Sequence, residues 1–496
     1  MSLNSILEIG KSGLNIYQLA TEVTSQNIAN VNTPGYSRQQ VVLETAPTTT
    51  ANGFPLGTGV RISAIERYYD GLLQQQLVTA QSTQGNDTTK SNVLQQIEPT
   101  FNEVANDGLG AAISNFFGSW QDLSLNAAGS TERQTVLSRA QILVDNFHSV
   151  STTLTNTIAT QDSALVPLTS DISEKLKNIA QLNGQIKITQ LVSGNANELK
   201  DQRDQLLRDL STKVGISYKE QSDGTVDVNL AGDPTKALVT GDQYATMYTD
   251  NAGGTTKNDI YLTAVGNPPP ANTPATDAKI TTTVGGTNNS LGELGATLAL
   301  RGTNVVGISN GIIGGYLAKV NELANQIVTQ VNNNHNDVTA QTLIPPHRAY
   351  DINGAAGGDF FVGTGVTAAT ISLNITDANK IAASSSATAP ADGSNALVIA
   401  GIQNASIPFA TGSATLNSYY DSLVSKVGLD VQSSKNTVAQ DNAFTQQLTT
   451  LQQSNSGVSL DEELTNMVKY QRSYQASAKL ITTATDMMDT VLGLIQ

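Results

Sequence analysis

The chain reads as an α+β multidomain protein in which long terminal α-helices form a helical coiled-coil or bundle core carrying nested β-rich insertion domains. Three observations lead there. Leu460, Met467, Tyr474, Ile481, Met488 and Ile495 stand seven apart, and Leu464, Gln471, Ala478, Thr485 and Leu492 repeat four residues on; a heptad seam this long asks for a partner helix. At the other chain end, Leu7, Leu14 and Ile28 share a seven-spaced row with Thr21 in the gap, and Ile9, Ile16 and Val23 form a second row. Near Gly215 the helical periodicity gives way to Thr, Gly, Asn and Pro.

The two N-terminal rows lie two residues, about 200°, apart on a helix. One face is therefore expected to pack on the C-terminal helix and the other against a neighbouring molecule. All six N-terminal positions, with Leu460, Leu464, Met467, Tyr474, Ile481, Met488, Leu492 and Ile495, are candidate assembly-interface residues. Ser459 and Glu462 have the spacing of a capping box for the last helix. The first helix ends at Ala29-Asn-Val-Asn-Thr-Pro-Gly-Tyr36. Thr33 precedes proline and leaves the helical region, and Pro34-Gly35 suits the centre of a type II turn. Ser37 to Thr45 alternates like a strand, and Thr48 to Gly59 reads as a loop.

Helical signal returns from Tyr68. Val136, Leu143 and Val150 stand in one row, Ala140, Phe147 and Leu154 in another. Leu165, Ile172, Ile179 and Ile186 form a third, interrupted only by Pro167. Asn197 to Thr212 makes a charged helix. Ile216–Glu220 and Thr225–Leu230 flank Asp223-Gly224 as a hairpin. Helix resumes over 305–336, a Gly/Ala/Thr-rich stretch follows from Leu343 to Thr415, and Tyr419 to Leu451 is helical again. The expected organisation is a terminal helical tube-forming domain (1–60 with 458–496) and a long-helix bundle (61–214 with 301–342 and 416–457). A β-rich outer domain (215–300) and a small β-rich insertion (343–415) complete it.

With 42 acidic against 27 basic residues and a net charge of −15, the chain repels phosphate backbones, so no nucleic-acid partner is expected. It has no cysteine, which excludes disulfides and thiolate chemistry. No apolar run is long enough to span a membrane, and the N-terminus lacks the basic and apolar regions of a cleaved secretion signal. Gly307-Ile-Ser309-Asn-Gly311 matches the nucleophile elbow of serine hydrolases, with His335 and His347 downstream, but lacks the surrounding strand–helix series. A secreted hydrolase using Ser309 is thus the alternative of another class. Asp201-Gln-Arg-Asp204 reads as a solvated helix face with local ion pairs, and nothing in the sequence asks for a cofactor.

Asn30, Thr33, Pro34, Gly35 and Tyr36, in the string Ala29-Asn-x-x-Thr-Pro-Gly-Tyr36, and Met467-Val-Lys-Tyr-Gln-Arg-Ser-Tyr-Gln-Ala-Ser-Ala-Lys-Leu480 resemble the N- and C-terminal signatures of the axial proteins of the bacterial flagellum, the rod, hook and hook-associated family. Gly35-Tyr-Ser-Arg-Gln39, Arg67-Tyr-Tyr-Asp-Gly-Leu-Leu73, Leu199–Leu207 and Asn353–Phe361 extend the resemblance toward the hook-associated members. It covers about 1–215 and 290–496. It implies a non-enzymatic structural subunit that polymerises at the distal end of the hook, at the hook–filament junction, outside the cell. It further implies export without a cleaved signal, a ring of copies of itself, hook protein and a second hook-associated junction protein as neighbours, and an export chaperone on the C-terminal helix. A hook or distal-rod protein is the alternative within the family, and would lack the long helical section Glu132 to Leu210.

Overall fold

The computed structural model describes residues 3–51, 54–101, 108–251, 257–281, 292–302, 311–336, 348–363 and 365–493. Ser309, His347 and Ile495, singled out above, lie outside the described residues.

The chain begins with α1 (Leu3–Ala29) and ends with α10 (Leu460–Gly493), which pack on each other. Between them, β1 (Gln39–Thr45) pairs antiparallel with β4 (Val60–Arg67). The expected loop over 48–59 instead carries a small hairpin, β2 (Thr49–Ala51) with β3 (Phe54–Leu56). Then α2 (Gly71–Ile97) starts cleanly because the Asp70 side chain accepts from the Leu72 and Leu73 N–H groups at 3.0 and 3.1 Å.

α3 (Leu109–Leu125) leads to α4, a single helix of 64 residues, Ser130–Ser193, that runs through Pro167 unbroken. Proline removes one ladder bond and normally kinks or ends a helix. Here Leu165 and Leu168 on either side are buried in one core and hold the two segments in line. After α5 (Asn197–Lys213) come β5 (Ile216–Glu220), β6 (Val226–Leu230), β7 (Asp233–Thr240) and β8 (Gln243–Tyr244), an antiparallel sheet in that order. A second sheet, in the order β11-β10-β9, is made by β9 (Met247–Asp250), β10 (Asp259–Leu262) and β11 (Ala278–Lys279).

The expected β-rich unit over 215–300 does not stay β to its end. Gly292–Arg301 is a helix, α6, whose Leu294 and Leu298 share one face and join a core with α4, α5 and the first sheet. α7 (Gly311–His335) follows. The stretch 343–415, read as a separate β insertion, is mostly turns. Its described regular elements are α8 (Ser394–Gly401), the three-residue strands β12 (Ile407–Phe409) and β13 (Gly412–Ala414), and short 3-10 turns. Small residues gave it the look of β structure, yet its Phe360, Phe361, Ile371 and Ile399 are buried among α3, α4, α7 and α9 (Leu416–Ser456). Buried Arg133 of α4 ties the stretch down by donating to the Ile381 carbonyl at 2.7 Å.

Two large cores result. One gathers α3, the first half of α4, α7 and the first part of α9 around Phe116, Trp120 and Phe360; the other gathers the second half of α4, α5, α6 and the sheets. α4 belongs to both. A small third cluster, Leu73, Leu77, Ala80 and Leu448, joins α2 to the far end of α9.

Candidate functional site

The terminal helices pair antiparallel along a seam of small and polar residues. Gly10 faces Ile481, Gly13 faces Ser477, Tyr17 stacks on Tyr470 with ring centroids 6.4 Å apart, and Asn27 donates to Glu463 at 3.0 Å. The two glycines let the backbones close up, since a Cβ at either would stand 2.7 Å or less from the opposing side chain.

The centre of the seam on α10 is thus Glu463, Tyr470, Ser477 and Ala484, one step round from the expected row. Met467, Ile481 and Met488 flank it half-buried, whereas Leu460, Leu464, Tyr474 and Leu492 face outward, Leu464 at 52% exposure. On α1, Ile16 and Val23 are 3% and 7% exposed within this one chain. Of the two expected faces, theirs is the one covered within the chain. Ile9 of the same row sits beside Gly59, at the start of β4. Leu7, Leu14 and Ile28 remain half-exposed at the margins.

At the open end of the pair lies the signature turn. Tyr36 N–H donates to the Thr33 carbonyl at 3.2 Å and Gly35 has φ +82°, a type II turn with Pro34 and Gly35 at its centre. Asn30 holds the approach: its carbonyl accepts from Thr33 N–H at 2.9 Å and its side chain donates to the Gln26 carbonyl at 3.0 Å. The turn returns the chain to Asn27, which accepts from Tyr36 Oη at 2.8 Å and from Gln39 N–H at 2.9 Å, and donates to the Gln39 carbonyl at 2.8 Å. Burial, with Glu198 and Asp201 nearby, pushes the Tyr36 hydroxyl far above its ordinary pKa, so it stays protonated as a donor.

Arg38 completes the link to α10. It donates from Nε to Glu463 and from Nη1 to Glu462, both at 2.7 Å. Glu462, whose spacing suits a capping box, is thereby engaged by Arg38. Burial alone would lower the Arg38 pKa, but Glu463 and Glu462 more than offset it and the net shift is upward.

Behind the turn, Asp201 and Asp204 of α5 are buried rather than solvated, which corrects the surface-helix reading. Asp201 accepts from Ser37 N–H and Oγ at 2.8 Å and from Arg67 Nη1 at 2.7 Å. Arg67 reaches Asp204 at 2.8 Å and lies 4.0 Å over the Tyr69 ring. Burial raises the Asp201 pKa despite Arg67. These groups lock the β1–β4 pair, and the terminal helices with it, onto the body. Asp201 is held by Ser37 and Arg67 donors and Asp204 by its ion pair with Arg67, an arrangement that suits a joint. Sequence reasoning missed Asn27, Arg38, Glu463 and Arg67 as linked residues because their partners lie far along the chain.

Of the two histidines of the hydrolase alternative, the described one is engaged elsewhere. His335 is fully buried, its Nδ1 sits 2.6 Å from the Gly358 carbonyl, and its Nε2 accepts from Ala382 N–H at 2.8 Å. Burial lowers its pKa to about 4.

Comparison with known proteins agrees with this architecture. Residues 94–361 match the family model described as "Flagellar hook-associated protein FlgK helical domain". Residues 7–36 match "Flagella basal body rod protein", and 452–494 match "Flagellar basal body rod FlgEFG protein C-terminal". "Flagellar hook-associated protein 1" of Bacillus subtilis is 27% identical over 98% of this chain and 97% of its own length; that of Salmonella typhimurium is 26% identical over 99% and 100%. The solved structure of the flagellar hook junction protein FlgK from Burkholderia pseudomallei shares the fold, with a TM-score of 0.63 at 18% identity, covering 77% of this chain and all of that one. The helical-domain model alone spans more than half of the residues, and the chain belongs to the flagellar hook-associated protein FlgK family.

Proposed function

We propose that this protein is a non-enzymatic structural subunit of the bacterial flagellum that polymerises at the distal end of the hook to form the hook–filament junction. The observation that carries the reading is end-to-end likeness to relatives named as hook-associated protein 1, combined with a terminal helix pair whose outer faces keep Leu460, Leu464, Tyr474 and Leu492 exposed. Apolar side chains in that number on one exposed helix mark an association surface. In this reading the subunit is exported without a cleaved signal and sits outside the cell. It meets copies of itself in a ring, hook protein on one side and a second hook-associated junction protein on the other. A chaperone covers α10 before assembly, when its apolar face would otherwise meet water.

The test is complementation. A strain lacking its own junction protein and supplied with this chain regains attached filaments; bare hooks with monomeric filament protein shed into the medium would overturn the reading. Esterase and peptidase assays on the purified chain and on Ser309→Ala are expected to give the same background rate, and loss of a real activity in the variant would revive the hydrolase alternative.

A further inference from the structure

The last turns of α4 carry an aliphatic knob that none of the described residues covers. Ile188, Leu191 and Val192 stand at i, i+3 and i+4 on one helix face and are 66%, 80% and 83% exposed. Their inward neighbours Asn183 and Ile186 are fully buried, so the helix end is fixed in place. On another part of the body, α2 and α9 leave an open groove of about 630 Å³ between them. Its walls include Leu72, Ala80, Phe444 and Leu448, with Leu72 and Phe444 themselves 67% and 52% exposed.

Their placement relates the two features. α5 packs against both α4 and α2, and α2 packs in turn against α9. The knob is carried by α4 and the groove lies between α2 and α9. Both lie at the end of the body nearest the terminal helices. The knob directly precedes Asn197, which donates to Gln39 Oε1 and the Ile65 carbonyl, and the groove opens at the start of α2, just after Arg67. Each patch is left exposed by its own chain and neither lines the other, so they do not meet within one molecule. A contact between successive copies through two different patches is head-to-tail, and such contacts close into a ring when the rotation allows.

Charge agrees. Lys187 adjoins the knob and is held by Asp223 at 3.1 Å with both side chains exposed, a pair easily exchanged. The groove contains Asp441, whose pKa is raised by burial and by the neighbouring Asp87 carboxylate, a placement that favours an incoming cation.

We propose that Ile188, Leu191 and Val192 of one copy seat in the Leu72–Phe444–Leu448 groove of the next copy of this chain, as a lateral contact outside the terminal helices. The proposal rests on the function given above and names a contact within that assembly. The absence of cysteine makes the test direct. Leu191→Cys and Phe444→Cys chains are co-expressed in a strain lacking its own junction protein, and isolated flagella are treated with copper phenanthroline. The mixture is expected to give a disulfide-linked dimer, and the double variant a ladder, while neither single variant alone cross-links. Leu191→Asp/Val192→Asp is expected to keep the monomer's Tm and lower the fraction of cells with attached filaments at least tenfold. Dimers from Leu191→Cys alone, or flagella that assemble from the mixture without cross-links, would overturn the contact and leave the function standing. Failure of the unsubstituted chain to restore filaments would remove the function reading, and this contact with it.

Discussion

Gly10 of the first helix lies directly under Ile481 of the last: a Cβ on Gly10 would come within 2.6 Å of Ile481 Cγ1. Gly10→Val is therefore expected to separate the terminal helices, at a cost of about 1–3 kcal/mol for an overpacked contact. The two main cores are far from this position and should melt unchanged. Limited proteolysis that releases both chain ends while sparing the body checks the outcome.

Arg38 and Glu463 form the ion pair that ties the signature turn to α10, and Glu463 is only 2% exposed. Arg38→Ala leaves that carboxylate buried with Asn27 as its remaining side-chain donor. A loss of about 3 kcal/mol of local stability follows from stranding a buried charge. Hydrogen exchange should accelerate in α1 and the first turns of α10 and stay constant in α4. The double variant Arg38→Ala/Glu463→Gln is expected to recover part of the loss.

Leu464 and Ile481 belong to different faces of one helix, which gives a paired test of the assembly surface. Leu464→Lys alters an exposed position, so the monomer's stability should move by no more than about 0.5 kcal/mol. Filament attachment should nevertheless fail. Ile481→Lys strikes the seam against Gly10 and should loosen the monomer's own helix pair as well. Thermal unfolding and exchange on the free chain, set beside motility, separate the two; equal effects on the free chain would contradict the outward face.

His335 predicts an acid dependence of the larger aromatic core. Its folded pKa of about 4 lies below the ordinary 6.5, so the native state binds fewer protons than the unfolded chain between those values. Stability is then fully present above about pH 6.5 and falls on acidification toward pH 4, by about 3 kcal/mol over the window. Trp120 is the single tryptophan, and its ring centroid is 5.9 Å from that of His335, so its fluorescence reports the transition. In His335→Leu the dependence in this window should disappear, with a general loss because Ala382 N–H and the Gly358 carbonyl lose their partner.

The elements legible in the sequence were those whose signal is local. Heptad spacing located the terminal helices, Thr33-Pro34-Gly35-Tyr36 named its own turn, and Asp223-Gly224 located the hairpin between β5 and β6. The seam was misplaced by one step because the search counted apolar side chains, while the contact is made by Gly10, Gly13, Ser477 and Ala484, which are small. Phe360 and Phe361 were hidden in a Gly/Ala-rich setting that carries no periodicity, although they anchor one of the cores. Asp201 looked solvated because Ser37 and Arg67, which bury it, are more than a hundred residues away. Pro167 looked like a break because a proline's local effect is known from sequence and the packing on either side of it is not.

The unbroken course of α4 through both cores has a mechanical consequence. At about 1.5 Å per residue it is a rod of roughly 95 Å. It is clamped by packing up to Leu154 and again from Leu165, and between them by Ile158 against the first core and by Asp162, whose carboxylate holds Asn258 and Arg301. A push on one clamp reaches the other without passing through a loop. Compliance is confined to Pro167, where one rung of the helix is missing. Pulling the subunit along this axis should stretch it little, while bending it sideways should flex it at that one place.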